Sequence, residues 1–216
     1  MTAKERAGKA VAILEECYPS AECALRYEGE PWKLLVMGRL SAQCTDKRVN
    51  LVTPALFEAY PTPADLAKAT KEEVLGYIHS VSYPNAKAEH LVQMAQRLCE
   101  VYHGEVPDSV EELQTLSGVG RKTANVVCAV IWNQPTMAVD THIFRISERL
   151  GLTTHSKSPL QTERQLEKHI PTTIIPKARH WLLLHGRYIC QARRPKCEEC
   201  GLTVWCRYHQ KNQLQS

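Results

Sequence analysis

The sequence predicts an all-α protein. Helix-start signals recur along its 216 residues, apolar residues follow those signals three or four apart, and alternating strand patterns are scarce. In order from the N-terminus, the spacing predicts helices over about Lys4 to Glu16, Trp32 to Gln43 and Asp46 to Tyr60. Pro54 falls inside the third, where it removes a backbone donor and crowds the preceding turn, so it is expected to kink or divide that helix. Thr62-Pro-Ala-Asp65 and Thr70-Lys-Glu-Glu73 each read as a further start, and about Ala86 to Val101 reads as a longer helix.

Ser109-Val-Glu-Glu112 reads as a capping box opening a short helix that carries Leu113 and Leu116. Ala124, Val127, Cys128 and Ile131 then recur at helical spacing. Between them, Gly118 and Gly120 can take positive φ at no steric cost, so Leu116-Ser-Gly-Val-Gly120 can reverse the chain within a few residues. The unit is therefore helix, hairpin, helix. Val139 to Gly151 predicts another helix, with Asp140 as N-cap and Gly151 just past its end. Ser158-Pro-Leu-Gln161 opens one more, and about Pro176 to His185 a last. There is no internal repeat and no low-complexity linker to mark a domain boundary.

Composition narrows the class. Hydrophobic residues at 44% fit a globular chain with a sizeable core, as one domain or two small ones. The N-terminus has no apolar signal core and no stretch approaches a membrane span, so the expectation is a soluble intracellular protein. Nine cysteines, an odd number without a secretory signal, argue for metal ligation and buried thiols over a disulfide framework. The net charge of +4 is modest, but from Lys177 to Tyr208 seven Lys/Arg face two acids. That stretch is either a patch for phosphates or an ordinary solvated face.

Three features carry candidate chemistry. The start of the helix after Gly120 presents free amides and the positive end of the dipole, which suits a phosphate. Lys122 sits in that first turn, where the dipole disfavours the ammonium form; a neutral amine is a nucleophile or Schiff-base former. The alternative is a helical hairpin with a solvated lysine. Asp140, as a cap, is held ionised, and the same carboxylate could offset positive charge on a reacting centre or accept a proton. Finally, Cys190, Cys197, Cys200 and Cys206 follow a C-x6-C-x2-C-x5-C spacing, four sulfurs that suit tetrahedral zinc or an iron–sulfur cluster. The single close pair leans away from a zinc ribbon. Cys17, Cys23, Cys44, Cys99 and Cys128 are read as mostly buried small hydrophobes.

Assembled, these parts resemble the endonuclease III family, in the iron–sulfur branch of the helix-hairpin-helix DNA glycosylase superfamily. The resemblance spans nearly the whole chain. It rests on Leu116-Ser-Gly-Val-Gly-Arg-Lys-Thr-Ala-Asn-Val-Val127, Val139-Asp-Thr-His-Ile-Phe-Arg145, Leu40-Ser-Ala-Gln-Cys-Thr-Asp46, His185-Gly-Arg-Tyr-Ile-Cys190 and the cysteine tail. It implies a bifunctional enzyme of base excision repair that removes oxidised pyrimidines from duplex DNA and cuts the strand at the abasic site. Lys122 matches the family's nucleophile and Asp140 its carboxylate. Gln43 would fill the hole left by the extruded base, with Asp46 near the lesion pocket. Gly118, Val119 and Gly120 would offer amides to a phosphate, with a bound monovalent cation at the hairpin. Arg121, Arg187, Arg193, Arg194 and Lys196 would meet the DNA backbone, and the four cysteines would hold a [4Fe–4S] cluster that orders the basic loop.

The same resemblance implies two all-α lobes: a helical barrel with the helix-hairpin-helix over residues 24–133, and a cluster domain from 1–23 plus 134–216. DNA would lie across the groove, with Lys122 and Asp140 facing each other at its mouth. A bacterial cytoplasmic, nucleoid-associated monomer is expected, with damaged or abasic double-stranded DNA as its partner and no membrane. The chain departs from the family at Val81 to Lys87, where relatives usually carry a Gly-Leu/Phe-Tyr type segment and Ser82, Tyr83 and Pro84 stand here. Tyr83 is the alternative wedge, since an aromatic face stacks on any base. A mismatch adenine glycosylase would lack the lysine, and a non-catalytic hairpin module would need neither Lys122 nor Asp140.

Overall fold

The structure, a computed structural model, describes residues 1–214, and every regular element among them is helical. Residues 215 and 216, the end of the expected 134–216 segment, lie outside the described residues. In chain order the helices are α1 (Ala3–Cys17), α2 (Pro31–Leu40), α3 (Asp46–Ala59), α4 (Pro63–Leu66), α5 (Lys71–Ile78), α6 (Pro84–Tyr102), α7 (Val110–Leu113), α8 (Arg121–Trp132), α9 (Thr141–Leu150), α10 (Pro159–His169), α11 (Ile175–Tyr188) and α12 (Arg207–Gln213). Short 3₁₀ turns fall at Thr172–Ile174, Cys197–Glu199 and Thr203–Trp205. No helix among the described residues is long and apolar enough to cross a membrane.

The chain forms two compact units, Cys23–Trp132 and Met1–Glu22 with Asn133–Ser216. In the first, α2 is apolar around most of its circumference, burying Trp32, Leu34, Leu35, Val36, Met37 and Leu40, as a helix at the centre of a bundle must. It packs against α3, α6 and α8. Helix α6 turns one face inward with Leu91, Met94, Ala95 and Leu98, and its C-terminus closes with His103 in the left-handed conformation. Capping boxes at Thr62/Asp65 and Thr70/Glu73 start α4 and α5 as the spacing predicts.

One boundary differs from expectation, and of the two outcomes expected at Pro54 division does not occur. Helix α3 runs through Pro54 undivided. Burial of Val49, Val52, Thr53 and Leu56 on one face offsets the ~3 kcal/mol that an interior proline costs. Helix α2 ends at Leu40 rather than near Gln43, because Ser41 to Cys44 form a turn in which Gln43 takes φ 54°.

In the second unit α1 turns Ala7, Ala10, Val11 and Leu14 toward α10 and α11, after a capping box at Thr2/Glu5. Helices α9 and α11 pack closely at Gly186, where a Cβ would come within 2.9 Å of the His142 Cβ and 3.2 Å of its carbonyl oxygen. Gly151 ends α9 with φ 75°, and the Leu152 N–H reaches back to the Ser147 carbonyl at 2.8 Å. All nine cysteines are free of disulfides. The expectation that the five dispersed ones are mostly buried fails: Cys128 is buried, Cys23, Cys44 and Cys99 are half-buried, and Cys17, on the last residue of α1, faces out.

Candidate functional site

The hairpin is built on a half-formed capping box. Ser109 Oγ accepts from the Glu112 N–H (3.2 Å), but the Glu112 carboxylate takes the Ser109 hydroxyl (2.7 Å) instead of completing the box at its backbone. Of the two glycines only Gly118 is left-handed, with φ 74°, so one residue suffices for the reversal. A Cβ there would lie 2.3 Å from the Arg39 Nε, and the Arg39 Nη2 meets the His90 Nδ1 at 2.6 Å. Arg39 and His90 thus back the turn from beneath. Gly120 is not left-handed, and a Cβ on it would meet open space.

Val119 departs from its expected role as an amide donor. Its N–H closes the turn onto the Leu116 carbonyl (3.1 Å) and its side chain is buried, so it anchors the turn while Gly118 and Gly120 lie exposed. Gly120 accepts the first bond of α8 from the Ala124 N–H at 3.0 Å. Lys122 and Arg121, the first residues of α8, are both exposed. Thr123 Cγ2 lies where a Cβ on Gly38 would approach within 3.0 Å, so the absence of a side chain at Gly38 seats the start of α8 on α2. Cys128, further along α8, is inert: burial pushes its thiol up to about 11.

The turn after α2 and the segment before α6 lie side by side in the same unit. Gln43 is exposed, and Tyr83, the residue preceding α6, is 67% exposed with φ 52°. Ser82 Oγ donates toward the Gln43 carbonyl at 2.7 Å, tying one segment to the other. Asp46 begins α3 half-buried behind the Thr45 N-cap.

In the other unit, Asp140 is the N-cap of α9. Its Oδ1 accepts from the His142 (3.0 Å) and Ile143 (2.8 Å) amides, so Oδ2 is not used by the cap. The same helix holds the cysteine segment. Arg145 donates to the Gly186 (2.6 Å) and Cys190 (3.0 Å) carbonyls, and Arg149 to those of Gln191 (2.7 Å) and Ala192 (2.7 Å). Neither arginine is assigned a partner by the sequence. Their spacing of four puts them on one face of α9, but nothing local says what that face meets.

Cys190 follows α11, Cys197 and Cys200 bracket a 3₁₀ turn, and Cys206 precedes α12. Each of the four thiols lies within electrostatic range of the other three. Burial pushes Cys200 up to about 11 and raises Cys197 and Cys206 as well. Cys200 Sγ also lies 3.4 Å from the His185 Nε2, whose other ring nitrogen faces the Tyr18 hydroxyl at 3.3 Å. The donor set, four sulfurs with an arginine 3.5 Å from the Cys190 Sγ, suits an anionic cluster. Among the described residues no group of three or more His, Cys, Asp or Glu is gathered around a point that would hold a single ion. Arg193, Arg194 and Lys196 are exposed on the intervening loop, Lys196 within 3.4 Å of Glu199, and Arg187 is half-buried on α11.

Residues 36–172 match the model of the HhH-GPD superfamily of base excision DNA repair proteins. The chain belongs to this family. Within the HhH-GPD superfamily it is 45% identical over 204 residues to the Endonuclease III of Synechocystis sp., across 94% of this chain and 92% of that one. To the Endonuclease III of Escherichia coli K12 it is 40% identical over 198 residues, across 92% and 93% of the two chains. A solved structure of a trapped covalent intermediate between Endonuclease III and DNA superposes with a TM-score of 0.92 at 39% identity, covering 99% of this chain and 100% of that one. The all-helical architecture of this HhH-GPD protein is therefore the Endonuclease III fold. The hairpin and Asp140 fall inside the matched family segment, and the four clustered cysteines lie beyond it.

Proposed function

We propose that this HhH-GPD protein is a bifunctional DNA glycosylase and abasic-site lyase that excises oxidised pyrimidines from duplex DNA. The observation that carries the reading is an exposed amine, Lys122, in the first turn of a helix that opens on a hairpin with Gly118 and Gly120 exposed. It is supported by the 39% identity to an Endonuclease III trapped covalently on DNA.

The Lys122 amine attacks C1′ of the damaged nucleotide as the glycosidic bond breaks and the base departs with a proton. Breaking of the C1′–O4′ bond, with a proton delivered to O4′, turns this aminal into an iminium that acidifies the C2′ proton, and removal of that proton expels the 3′ phosphate oxygen by β-elimination. Hydrolysis of the imine then frees Lys122. Asp140 Oδ2 offsets the oxocarbenium-like charge and assists proton transfer. Access to C1′ requires extrusion of the nucleotide, which costs a few kcal/mol and less for a damaged base. Gln43 fills the vacated stack, Tyr83 stacks against the opposite strand, and Asp46 borders the lesion pocket.

The Gly118 and Gly120 amides bind a backbone phosphate, with a monovalent cation at the hairpin, and Gly120 lets the backbone approach closely because it has no side chain. Arg121, Arg187, Arg193, Arg194 and Lys196 meet further phosphates. Cys190, Cys197, Cys200 and Cys206 would hold a [4Fe–4S] cluster, whose contribution is to order the loop between them. Residues 24–133 would then serve as the helical barrel domain, and 1–23 with 134–216 as the cluster domain, of a monomer working in the bacterial cytoplasm on the nucleoid.

Borohydride should trap a protein–DNA adduct on duplexes carrying thymine glycol or an abasic site, and Lys122→Ala should abolish it. Adduct persisting in that variant would remove Lys122 from the nucleophile's role.

A further inference from the structure

Lys87, in the first turns of α6, is among the largest fully buried side chains of the protein, at 1% exposure. An ammonium has three protons to donate and no acceptor. Here the three acceptors are the Leu40 carbonyl (2.7 Å), the Ala42 carbonyl (2.7 Å) and the Ser82 hydroxyl (3.2 Å). Leu40 is the last residue of α2, where carbonyls have no helical partner and the dipole favours a cation. Ser82 in turn donates toward Gln43. One buried charge therefore fastens the turn after α2 to the segment before α6.

Two residues on those segments, Gln43 and Tyr83, are left-handed and exposed. For side chains with a Cβ that conformation costs about 1–2 kcal/mol and survives only where the surroundings impose it. Core filling does not call for a charge at position 87, since burying an ion costs several kcal/mol and an apolar side chain of similar length would occupy the same volume.

We infer that Lys87 is a positioning residue for base extrusion: it locks the segments bearing Gln43 and Tyr83 into one preorganised wedge, without itself touching DNA. The inference rests on the glycosylase reading above. If that reading holds, Lys87 matters where a gap in the stack must be filled and is dispensable where there is none.

Two substrates separate these cases: duplex DNA with thymine glycol, and a single strand with an abasic site. Lys87→Met should excise thymine glycol about tenfold or more slowly, the scale of loss from a misplaced positioning group, yet cleave the single strand within about twofold of wild type. Gln43→Ala should cost wild type the same order of activity on the duplex and cost the Lys87→Met variant little more, because the wedge is already lost. Unchanged duplex excision by folded Lys87→Met overturns the inference, as do equal losses on both substrates or losses with Gln43→Ala that multiply. If Lys87→Met fails to fold, Ser82→Ala, at a half-buried position, carries the same test: a loss confined to the duplex supports the wedge and an unaltered duplex rate overturns it. Wild-type protein inactive on both substrates would instead refute the lyase reading, and the inference with it.

Discussion

Gly118 and Gly120 look equivalent in the sequence and differ in the fold. Gly118 needs its left-handed φ of 74° and has Arg39 where a Cβ would go, whereas Gly120 has neither constraint. Gly118→Ala should therefore lower the free energy of unfolding by about 1–2 kcal/mol, the cost of a side chain in the left-handed region. Gly120→Ala should leave stability within about 1 kcal/mol of wild type, or raise it by stiffening the unfolded chain. Its effect should appear in DNA affinity, where the added methyl stands between the hairpin amides and a phosphate. Denaturant titrations beside binding isotherms on abasic duplex check both; a Gly120→Ala protein that binds normally would leave its amide without a phosphate to hold. Asp140 divides its labour by atom, with Oδ1 on the helix amides and Oδ2 left over. A cap and a catalytic carboxylate can thus be one residue.

At the scale of an element, α11 carries a pH dependence of its own. Burial, reinforced by Arg179, pulls His180 down to about 3 from its ordinary 6.5. The Arg179 Nη2 lies 2.8 Å from the His180 Nε2. In the unfolded chain His180 takes up a proton near its ordinary value, while the folded protein keeps it neutral far below that. Between those values the unfolded state binds more protons, so the His180 contribution is whole above about pH 6.5 and is lost as pH falls toward 3. Thermal unfolding followed from pH 7 to 4 should show a shallower decline in His180→Gln than in wild type; parallel declines would assign the acid sensitivity to other groups.

Element boundaries also show where local reading succeeds. The caps of α4, α5, α9 and α10 were legible because a capping side chain and its target amide lie within three residues of each other. Division at Pro54, one of the two outcomes expected there, does not occur because the packing that tolerates the proline comes from other parts of the chain. Arg145 and Arg149 were missed for the same reason: the carbonyls they hold lie more than forty residues downstream in sequence, at Gly186 and from Cys190 to Ala192.

For the molecule as a whole, the proposed cluster is tested at the cysteine quartet. Purified protein should contain iron and acid-labile sulfide in equal amounts, and Cys206→Ala should lose both. Zinc without iron would refute the cluster. Depleting the metal should loosen the loop carrying Arg193, Arg194 and Lys196 and weaken DNA binding with a reduced salt dependence, because fewer phosphate contacts release fewer counterions.

By itself the sequence determined the helical class, the hairpin with Lys122 behind it, the Asp140 cap and the four-cysteine spacing. Each is written in residues a few positions apart, where backbone geometry alone sets what a side chain can reach. Only the tertiary structure decided that Val119 spends its amide inside the turn, that Gly120 needs no special backbone, and that Cys17 faces out. It also decided that a lysine at the start of α6 saturates the end of α2. A buried charge takes whatever acceptors the fold brings to it, and residues 40 and 87 become neighbours only when the core around α2 has closed.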